Sequence, residues 1–244
     1  GLHGHVWSQC LGEGRCRRTL EIMWPFLSSI REETGVTLRD LNRGGGYGVR
    51  YTEEDAAIDS PARLAELGAH LKAAAEGAGV PVPRFLMEPG RSIVADAGMT
   101  LYTVGSVKRI PGYKQYAAVD GGMPDNPRFA LYGASYTCLL ANKLDQPAEF
   151  PCSVVGRCCE SGDIIIRDID LPADIAGGDL LAVPAVGAYG YSMASNYNML
   201  TKPGVLAVEG GSARWLIRPQ TTQPLLPLAA GLDEPEPRDG EGAT

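Results

Sequence analysis

The chain has 244 residues, of which 44% are hydrophobic and 21% are charged, and its formal net charge is −7. That composition is typical of a soluble globular protein with one large domain or two smaller ones, and it lacks the basic surface that nucleic-acid binding requires. No apolar run reaches the ~18 residues of a membrane-spanning helix. No signal peptide is visible, so a cytoplasmic location is expected. The six cysteines are irregularly spaced, which predicts neither a disulfide framework nor a metal site.

The first hundred residues predict strands and helices in alternation. Apolar side chains at helical spacing predict a helix over about residues 17–34, kinked at Pro25 and ended by Gly35. A second helix is expected to begin at Ser60–Pro61, where a capping serine precedes a proline, and to end at Gly79. Short apolar stretches before, between and after these helices predict three strands. This order is that of parallel β/α units, as in a barrel.

Each predicted strand ends in residues suited to binding a ligand. The third strand runs into Glu88–Pro89–Gly90–Arg91, which places a carboxylate and a guanidinium at the strand end where ligands of parallel sheets bind. Gly44–Gly45–Gly46 follows the second strand and offers backbone N–H groups of the kind that cradle phosphate. The segment His3–Ser8 ends the first strand with imidazole and hydroxyl groups. The alternative interpretation of Glu88 is a surface salt bridge with a cation.

The pattern changes at about Gly98 to short β-rich runs separated by glycine, proline and aspartate, which predicts an all-β domain. After Pro219 the composition shifts to proline, glycine and acidic residues, which predicts a disordered tail. The expected regions are therefore residues 1–97, 98–220 and 221–244. The β-rich runs are Thr100–Val104, Tyr116–Val119, Ile164–Ile166, Leu180–Val183 and Trp215–Ile217.

Six segments occur in the order found in one family of enzymes, and six ordered motifs are far more specific than any one of them. The chain resembles the pyridoxal-phosphate-dependent decarboxylases with an alanine-racemase-like barrel, over about residues 1–218. The resemblance implies an α/β plus all-β fold: the last strands of a (β/α)8 barrel over residues 1–97, followed by a β-domain of the sandwich or Greek-key type. The segments are Gly1–His5, Gly44–Gly46, Glu88–Arg91, Asp120–Met123, Cys159–Asp163 and Gly187–Tyr191.

The resemblance implies that the chain binds pyridoxal 5′-phosphate. Glu88 is expected beside the ring nitrogen, where a negative charge keeps the ring protonated. Related racemases have an arginine there, so the glutamate favours decarboxylation. His5 is expected to stack on the ring face, and a core histidine is the alternative. Trp7 departs from the motif, which usually has glycine at that position. The phosphate is expected at Ser8, Gly44, Gly45, Gly46, Gly90, Arg91 and Tyr189.

The resemblance also assigns residues to the substrate. Arg128 and Tyr132, with Arg91 and Tyr189, are expected to bind its distal end, because an arginine fork suits a carboxylate; the alternative for Arg128 is a surface ion pair. Two further residues follow one another in the sequence: Cys159 is expected to protonate the reacting carbon, and Glu160 to bind substrate. By resemblance both reach into the neighbouring subunit of a homodimer with shared active sites.

The reaction implied is decarboxylation of meso-2,6-diaminopimelate to L-lysine. Two alternatives stay open: decarboxylation of another basic amino acid, of the ornithine, arginine or lysine type, and a non-catalytic relative that regulates an active homologue. No lysine of the chain lies in a motif resembling the strand that carries the family's cofactor-binding lysine. We therefore expect a C-terminal fragment that is inactive alone. The lysines are Lys72, Lys108, Lys114, Lys143 and Lys202.

Overall fold

The computed structural model describes residues 1–56, 58–223 and 225. Most of the tail expected over residues 221–244 therefore lies outside the described residues. Of the helices in the described part, none combines the length and hydropathy of a membrane span.

A parallel three-stranded sheet forms the first part of the structure. Its strands are β1 (Leu2–His3), β2 (Asp40–Asn42) and β3 (Arg84–Leu86), in that order, joined by helices α1 (Glu13–Thr34) and α2 (Ser60–Gly77). The predicted alternation of strands and helices is confirmed. Because the strands are parallel, their carboxyl ends meet at one edge, and the three motifs that were expected to bind a ligand follow from that edge.

Helix α1 packs on α2 through an apolar face. Cys16, Leu20, Met23 and Leu27 of α1 are buried in a core that also takes in Leu41, Leu67 and Leu71. The helix continues through Pro25, which lies on its exposed side. Gly35 ends it as predicted, with a left-handed φ of 74° and its N–H donated to the Arg31 carbonyl.

The predicted cap of α2 was wrong by one residue. Asp59, rather than Ser60, is the N-cap, and its carboxylate accepts the backbone N–H of Ala62 at 2.9 Å. An acceptor at the residue before the first helical turn satisfies a backbone donor that the helix itself cannot. Ser60 and Pro61 therefore belong to the first turn.

The second part is a six-stranded sheet with the order β6-β9-β4-β5-β7-β8. Neighbouring strands are antiparallel except β5 and β7, which are parallel. A separate antiparallel hairpin, β10–β11, follows. The strands are β4 (Met99–Arg109), β5 (Gln115–Val119), β6 (Leu139–Leu140), β7 (Ala148–Val155), β8 (Ile164–Pro172), β9 (Leu180–Pro184), β10 (Val205–Glu209) and β11 (Ser212–Ile217).

All five predicted β-rich runs lie in strands, so the change from an α/β part to a β-rich part is confirmed. Strands β6, β7 and β10 were missed; β7 contains Pro151, which weakens a strand signal. The domain limits at residues 97 and 220, and the assignment to a barrel and a sandwich, stay predictions. The segments between strands also contain short helices, which are α3 (Arg91–Val94), α4 (Arg128–Tyr132), α5 (Gly190–Met193) and a 3-10 helix (Tyr197–Met199).

The core of the six-stranded sheet reaches into the first part of the chain. Val49 and Tyr51, from the loop after β2, and Ala95, from the end of α3, are buried in the same cluster as Val104 and Leu181 of the sheet. The two parts are therefore packed together, and the loops between them are held in place.

Gly98 and Gly187 make the tightest backbone contact between α3 and the sheet. The N–H of Gly187 is donated to the Ala95 carbonyl at 3.0 Å, and that of Val186 to the Gly98 carbonyl at 3.1 Å. A Cβ atom added to Gly187 would overlap the carbonyl oxygen of Val94. Only glycine allows this approach, because the obstructing atom belongs to the backbone.

Gly187→Ala is expected to lower the free energy of unfolding by about 1–3 kcal/mol, because the added methyl group forces backbone apart. Urea denaturation of the whole chain measures this. Gly68→Ala is the matched control: it lies in α2 with open space around the added Cβ, and it should stabilise the helix by up to about 1 kcal/mol. Equal effects of the two substitutions would contradict the close contact.

Candidate active site

The glycine triplet after β2 packs directly on the segment that carries Glu88. Gly44 and Gly46 have left-handed φ values of 75° and 84°, and the Glu88 N–H is donated to the Gly44 carbonyl at 2.9 Å. A Cβ atom on Gly45 would overlap the Glu88 carbonyl oxygen. The Gly45 N–H is donated to Nδ1 of His5 at 3.2 Å. The triplet, His5 and Glu88 are thus brought together as predicted.

Glu88 is half exposed, and each of its carboxylate oxygens has a partner. Nδ2 of Asn42 donates a hydrogen bond to Oε1 at 2.9 Å, and Nε2 of His3 lies 3.4 Å from Oε2. The hydrogen bond from Asn42, followed by that from His3, lowers the pKa of Glu88 below its ordinary value. The carboxylate is therefore ionised at neutral pH. The alternative interpretation, a surface salt bridge with a cation, is met by His3 when its imidazole is protonated, since both side chains are about half exposed.

A cleft of about 700 Å³ lies between the two parts of the chain. Its size is within the usual range for small-molecule sites. Gly90 immediately precedes Arg91 in the sequence, and Arg91 forms part of the cleft wall. Five predicted site residues, Ser8, Arg91, Arg128, Tyr132 and Tyr189, line the cleft, together with Gln9, Tyr51, Thr52, Asp55, Ala134, Ser135 and Met193.

Arg91 joins the cleft to the strand ends, since it stands three residues after Glu88 in the sequence. Its Nη2 donates a hydrogen bond to Oγ of Ser8 at 3.0 Å. Its Nη1 donates to Oε1 of Gln9 and to the hydroxyl of Tyr51, both at 3.1 Å. The guanidinium also lies over the ring of Tyr189, 5.2 Å from its centroid. One positive charge is thereby fixed beside Ser8, whose backbone nitrogen lies close to Gly46 of the triplet.

Arg128 provides a second fixed cation. It is only 6% exposed, and its Nη1 donates hydrogen bonds to the hydroxyls of Tyr136 at 2.6 Å and Tyr51 at 3.0 Å. The alternative of a surface ion pair is wrong, because the side chain is buried and its partners are neutral phenols. Tyr132, one turn further on, is 67% exposed and lines the same cleft.

Cys159 and Glu160 lie apart from the cleft. Both are exposed, and Oε2 of Glu160 is 3.5 Å from the hydroxyl of Tyr197. Buried Asp163 fixes their turn by accepting the N–H groups of Met123 at 2.6 Å and Cys158 at 2.7 Å. The chain by itself therefore does not bring these two residues to the other predicted site residues.

Several residues of the site were not predicted from the sequence. Arg43 is buried behind the triplet. Its guanidinium donates hydrogen bonds to the Gly45 carbonyl at 2.7 Å and to Sγ of Cys16 at 3.0 Å. Asn42 and Gln9 adjoin predicted motifs, so their position in the sequence could have marked them. No local signal marked Tyr51 or Tyr136, whose hydroxyls bind Arg128.

The loop that leads into α4 and Arg128 is held by a half-buried acid, Asp125. Its carboxylate accepts the hydroxyl of Tyr102 at 2.7 Å and the N–H of Gly122 at 3.1 Å. Burial raises the pKa of Asp125 to about 6, and the two hydrogen bonds oppose that shift only in part.

The fold and site define an α/β-plus-sheet protein with a cationic, aromatic-lined cleft beside a glycine loop at parallel strand ends. A family model described as "Pyridoxal-dependent decarboxylase, C-terminal sheet domain" matches residues 27–187, more than half of the chain. The chain therefore belongs to the pyridoxal-dependent decarboxylase family, and the resemblance drawn from the sequence is confirmed.

Individual relatives are similar over nearly all of the chain. It is 43% identical over 228 residues to the diaminopimelate decarboxylase of Bacillus subtilis, covering 93% of this chain and 52% of the relative. It is 39% identical over 236 residues to that of Mycobacterium tuberculosis H37Rv, covering 93% of this chain and 53% of the relative. The chain thus spans about half the length of the curated relatives it matches.

Solved structures agree with these matches. The diaminopimelate decarboxylase of M. jannaschii in complex with L-lysine superimposes with a TM-score of 0.82 at 31% identity, covering 94% of this chain and 51% of that one. The Helicobacter pylori enzyme complexed with L-lysine gives a TM-score of 0.78 at 32% identity, covering 93% and 53%. A lysine/ornithine decarboxylase of Vibrio vulnificus, at 24% identity and a TM-score of 0.67, covers 83% and 52% and shares the fold.

The folded chain is expected to lose stability as the pH rises from about 4 to about 6. The folded pKa of Asp125 is raised, so in this window the folded state holds a proton that the unfolded state has released. The loss amounts to up to about 3 kcal/mol. Denaturation of the wild type and of Asp125→Asn at several pH values isolates it, since the variant lacks the titrating group. Parallel stability–pH curves for the two proteins would refute the shifted pKa.

Proposed function

We propose that this chain forms the C-terminal half of a diaminopimelate decarboxylase, which converts meso-2,6-diaminopimelate to L-lysine with pyridoxal 5′-phosphate. The observation that carries the proposal is an ionised carboxylate, Glu88, packed against a glycine triplet whose neighbouring cleft contains two fixed guanidinium groups. The relatives named diaminopimelate decarboxylase support the choice of reaction, since they match 93% of the chain.

The residues present fit the cofactor. Bound pyridoxal 5′-phosphate supplies an electron sink for the carbon that loses its carboxyl group. Glu88 would hold a proton on the ring nitrogen, and His5 would cover one ring face, oriented by the Gly45 N–H that its Nδ1 accepts. The close backbone packing at Gly45 leaves no room for a side chain. The phosphate would be bound by Ser8, Gly44, Gly45, Gly46, Gly90, Arg91 and Tyr189.

The choice of substrate rests on charge. Neither Arg91 nor Arg128 forms an ion pair with a carboxylate within the described part of the chain, so a distal carboxylate of the substrate can be their counter-charge. Arg128 and Tyr132, with Arg91 and Tyr189, would bind it. Diaminopimelate has such a carboxylate, whereas ornithine, arginine and lysine have a distal cation. Decarboxylation of another basic amino acid is therefore the less favoured candidate.

We further propose that the active protein is a homodimer with shared sites. Cys159 and Glu160 are exposed on a rigid turn outside the cleft, which supports their acting in the neighbouring subunit's site, the cysteine as proton donor and the glutamate on the substrate. Among the residues that the structure describes, no lysine lines the cleft; Lys72, Lys114 and Lys143 are paired with acids elsewhere. The cofactor-binding lysine would then come from a segment outside these 244 residues, and residues 1–97 would complete a barrel with it.

The protein that contains this chain is expected to release carbon dioxide from meso-diaminopimelate and form L-lysine only when pyridoxal 5′-phosphate is present. The 244-residue chain alone should show no turnover, because it lacks the lysine. Coupled carbon dioxide assays, with L-ornithine as the competing substrate, measure both. Equal or faster ornithine turnover would favour the other amino-acid decarboxylases. Cofactor binding without any turnover would favour a non-catalytic relative.

Arg128→Lys in the same protein is expected to lower kcat/KM for diaminopimelate roughly tenfold to a hundredfold, because lysine keeps the charge but loses the planar fork. Steady-state kinetics measure the change. Arg109→Lys is the matched control, since that guanidinium lies over the ring of Phe150 at 4.0 Å, outside the cleft. If both variants retain wild-type kinetics, Arg128 does not bind the substrate.

A further inference from the structure

Asn42 connects the glycine triplet to the carboxylate of Glu88 through a single side-chain amide. Its Oδ1 accepts a hydrogen bond from the N–H of Gly44 at 2.8 Å, and its Nδ2 donates one to Oε1 of Glu88 at 2.9 Å. Both ends of the amide are therefore used, and the amide cannot turn over without losing both bonds. Asn42 is half-buried at the carboxyl end of β2.

The register of the sheet explains why this residue has that position. Strand β2 is central, so Asn42 has His3 of β1 as its partner on one side and Leu86 of β3 on the other. Glu88 follows Leu86 by two residues and folds back over the strand ends. Its second oxygen, Oε2, then faces Nε2 of His3 at 3.4 Å. One carboxylate oxygen is thus held from β2 and the other from β1.

We propose that Asn42 is a positioning residue: it aims the Glu88 carboxylate and fixes its distance from the phosphate-binding triplet, with His3 as the second support. The catalytic meaning of this role rests on the function proposed above, in which Glu88 meets the ring nitrogen and the triplet meets the phosphate. One amide would then set the spacing between the two ends of the cofactor site.

The electrostatics at Glu88 agree with this role. The hydrogen bond from Asn42 is the largest cause of the lowered pKa of Glu88, and the bond from His3 is the second. The titratable groups that act on Glu88 are His3 at the end of β1 and His5 in the loop after it. Asn42 has no titratable group, so its hydrogen-bond donor to Glu88 does not depend on pH.

A role in stability alone would give a different result. Glu88 and His3 are both about half exposed, with side-chain exposures of 52% and 53%, and exposed polar contacts contribute little to folding. The decisive readout is therefore the ionisation of Glu88 in the ligand-free protein. Asn142 offers a matched control elsewhere: its amide also joins a carboxylate, that of Asp179 at 2.9 Å, to a backbone N–H, that of Leu180 at 3.0 Å.

The test is a carbon-13 NMR titration of the Glu88 carboxyl group without cofactor. Asn42→Ala should move the pKa of Glu88 up towards its ordinary value. Asn42→Asp keeps the acceptor for Gly44 but sets a second carboxylate against Glu88, so it should raise that pKa further, by about 1 unit or more above the wild-type value. Asn142→Ala should leave Glu88 unchanged. Should one variant fail to fold, the other gives the same comparison, because each removes the donor from Glu88.

Titration with pyridoxal 5′-phosphate then separates this inference from the proposed function. If Asn42 positions Glu88, both Asn42 variants should bind the cofactor roughly tenfold more weakly than wild type, as expected for the loss of one hydrogen bond to a charged group. If the whole protein that contains this chain does not bind the cofactor while the pKa of Glu88 still follows Asn42, the proposed function fails and the positioning role stands. A Glu88 pKa that is the same in wild type and in both Asn42 variants would overturn the inference.

Discussion

The hydroxyl of Tyr51 is the contact on which the cleft depends. It accepts hydrogen bonds from Nη1 of Arg91 at 3.1 Å and from Nη1 of Arg128 at 3.0 Å. The ring of Tyr51 is buried in the core of the six-stranded sheet. Arg91 belongs to the α/β part, and Arg128 to a loop of the β-rich part. One phenol thus holds two guanidinium groups side by side and ties together the two parts that form the walls of the cleft.

Two cations held this close repel one another unless an anion is near. Their partners among the described residues are phenols, an amide and a hydroxyl, which orient the guanidinium groups without neutralising them. The arrangement therefore favours ligands that carry negative charge, such as a phosphate and a substrate carboxylate. Arg43, buried behind the triplet and bonded to a carbonyl and a thiol, adds to the same positive field. Glu88 is the contrasting feature, an acid at the strand ends whose pKa is lowered by the hydrogen bonds from Asn42 and His3.

Much of this could be predicted from the sequence, because the signals were local. The stop at Gly35, the glycine triplet and the strand ending before Glu88 each depend on a few adjacent residues, and the structure has all three. The errors were of the same local kind: Asp59 competed with Ser60 as the cap, and Pro151 concealed strand β7. Cys159 and Glu160 were predicted as site residues from the family resemblance, and the fold of one chain leaves them outside the cleft.

Glycine, proline and strand patterns act on their own neighbours, so the order of amino acids was enough to predict which backbone segments bend, stop or expose N–H groups. Which side chains meet depends on the three-dimensional fold. Tyr51 is 40 residues from Arg91 and 77 from Arg128 in the sequence, and Asn42 is 46 from Glu88. Such pairs form because parallel strands align their ends and a shared core closes the two parts together, and no local pattern encodes that distance.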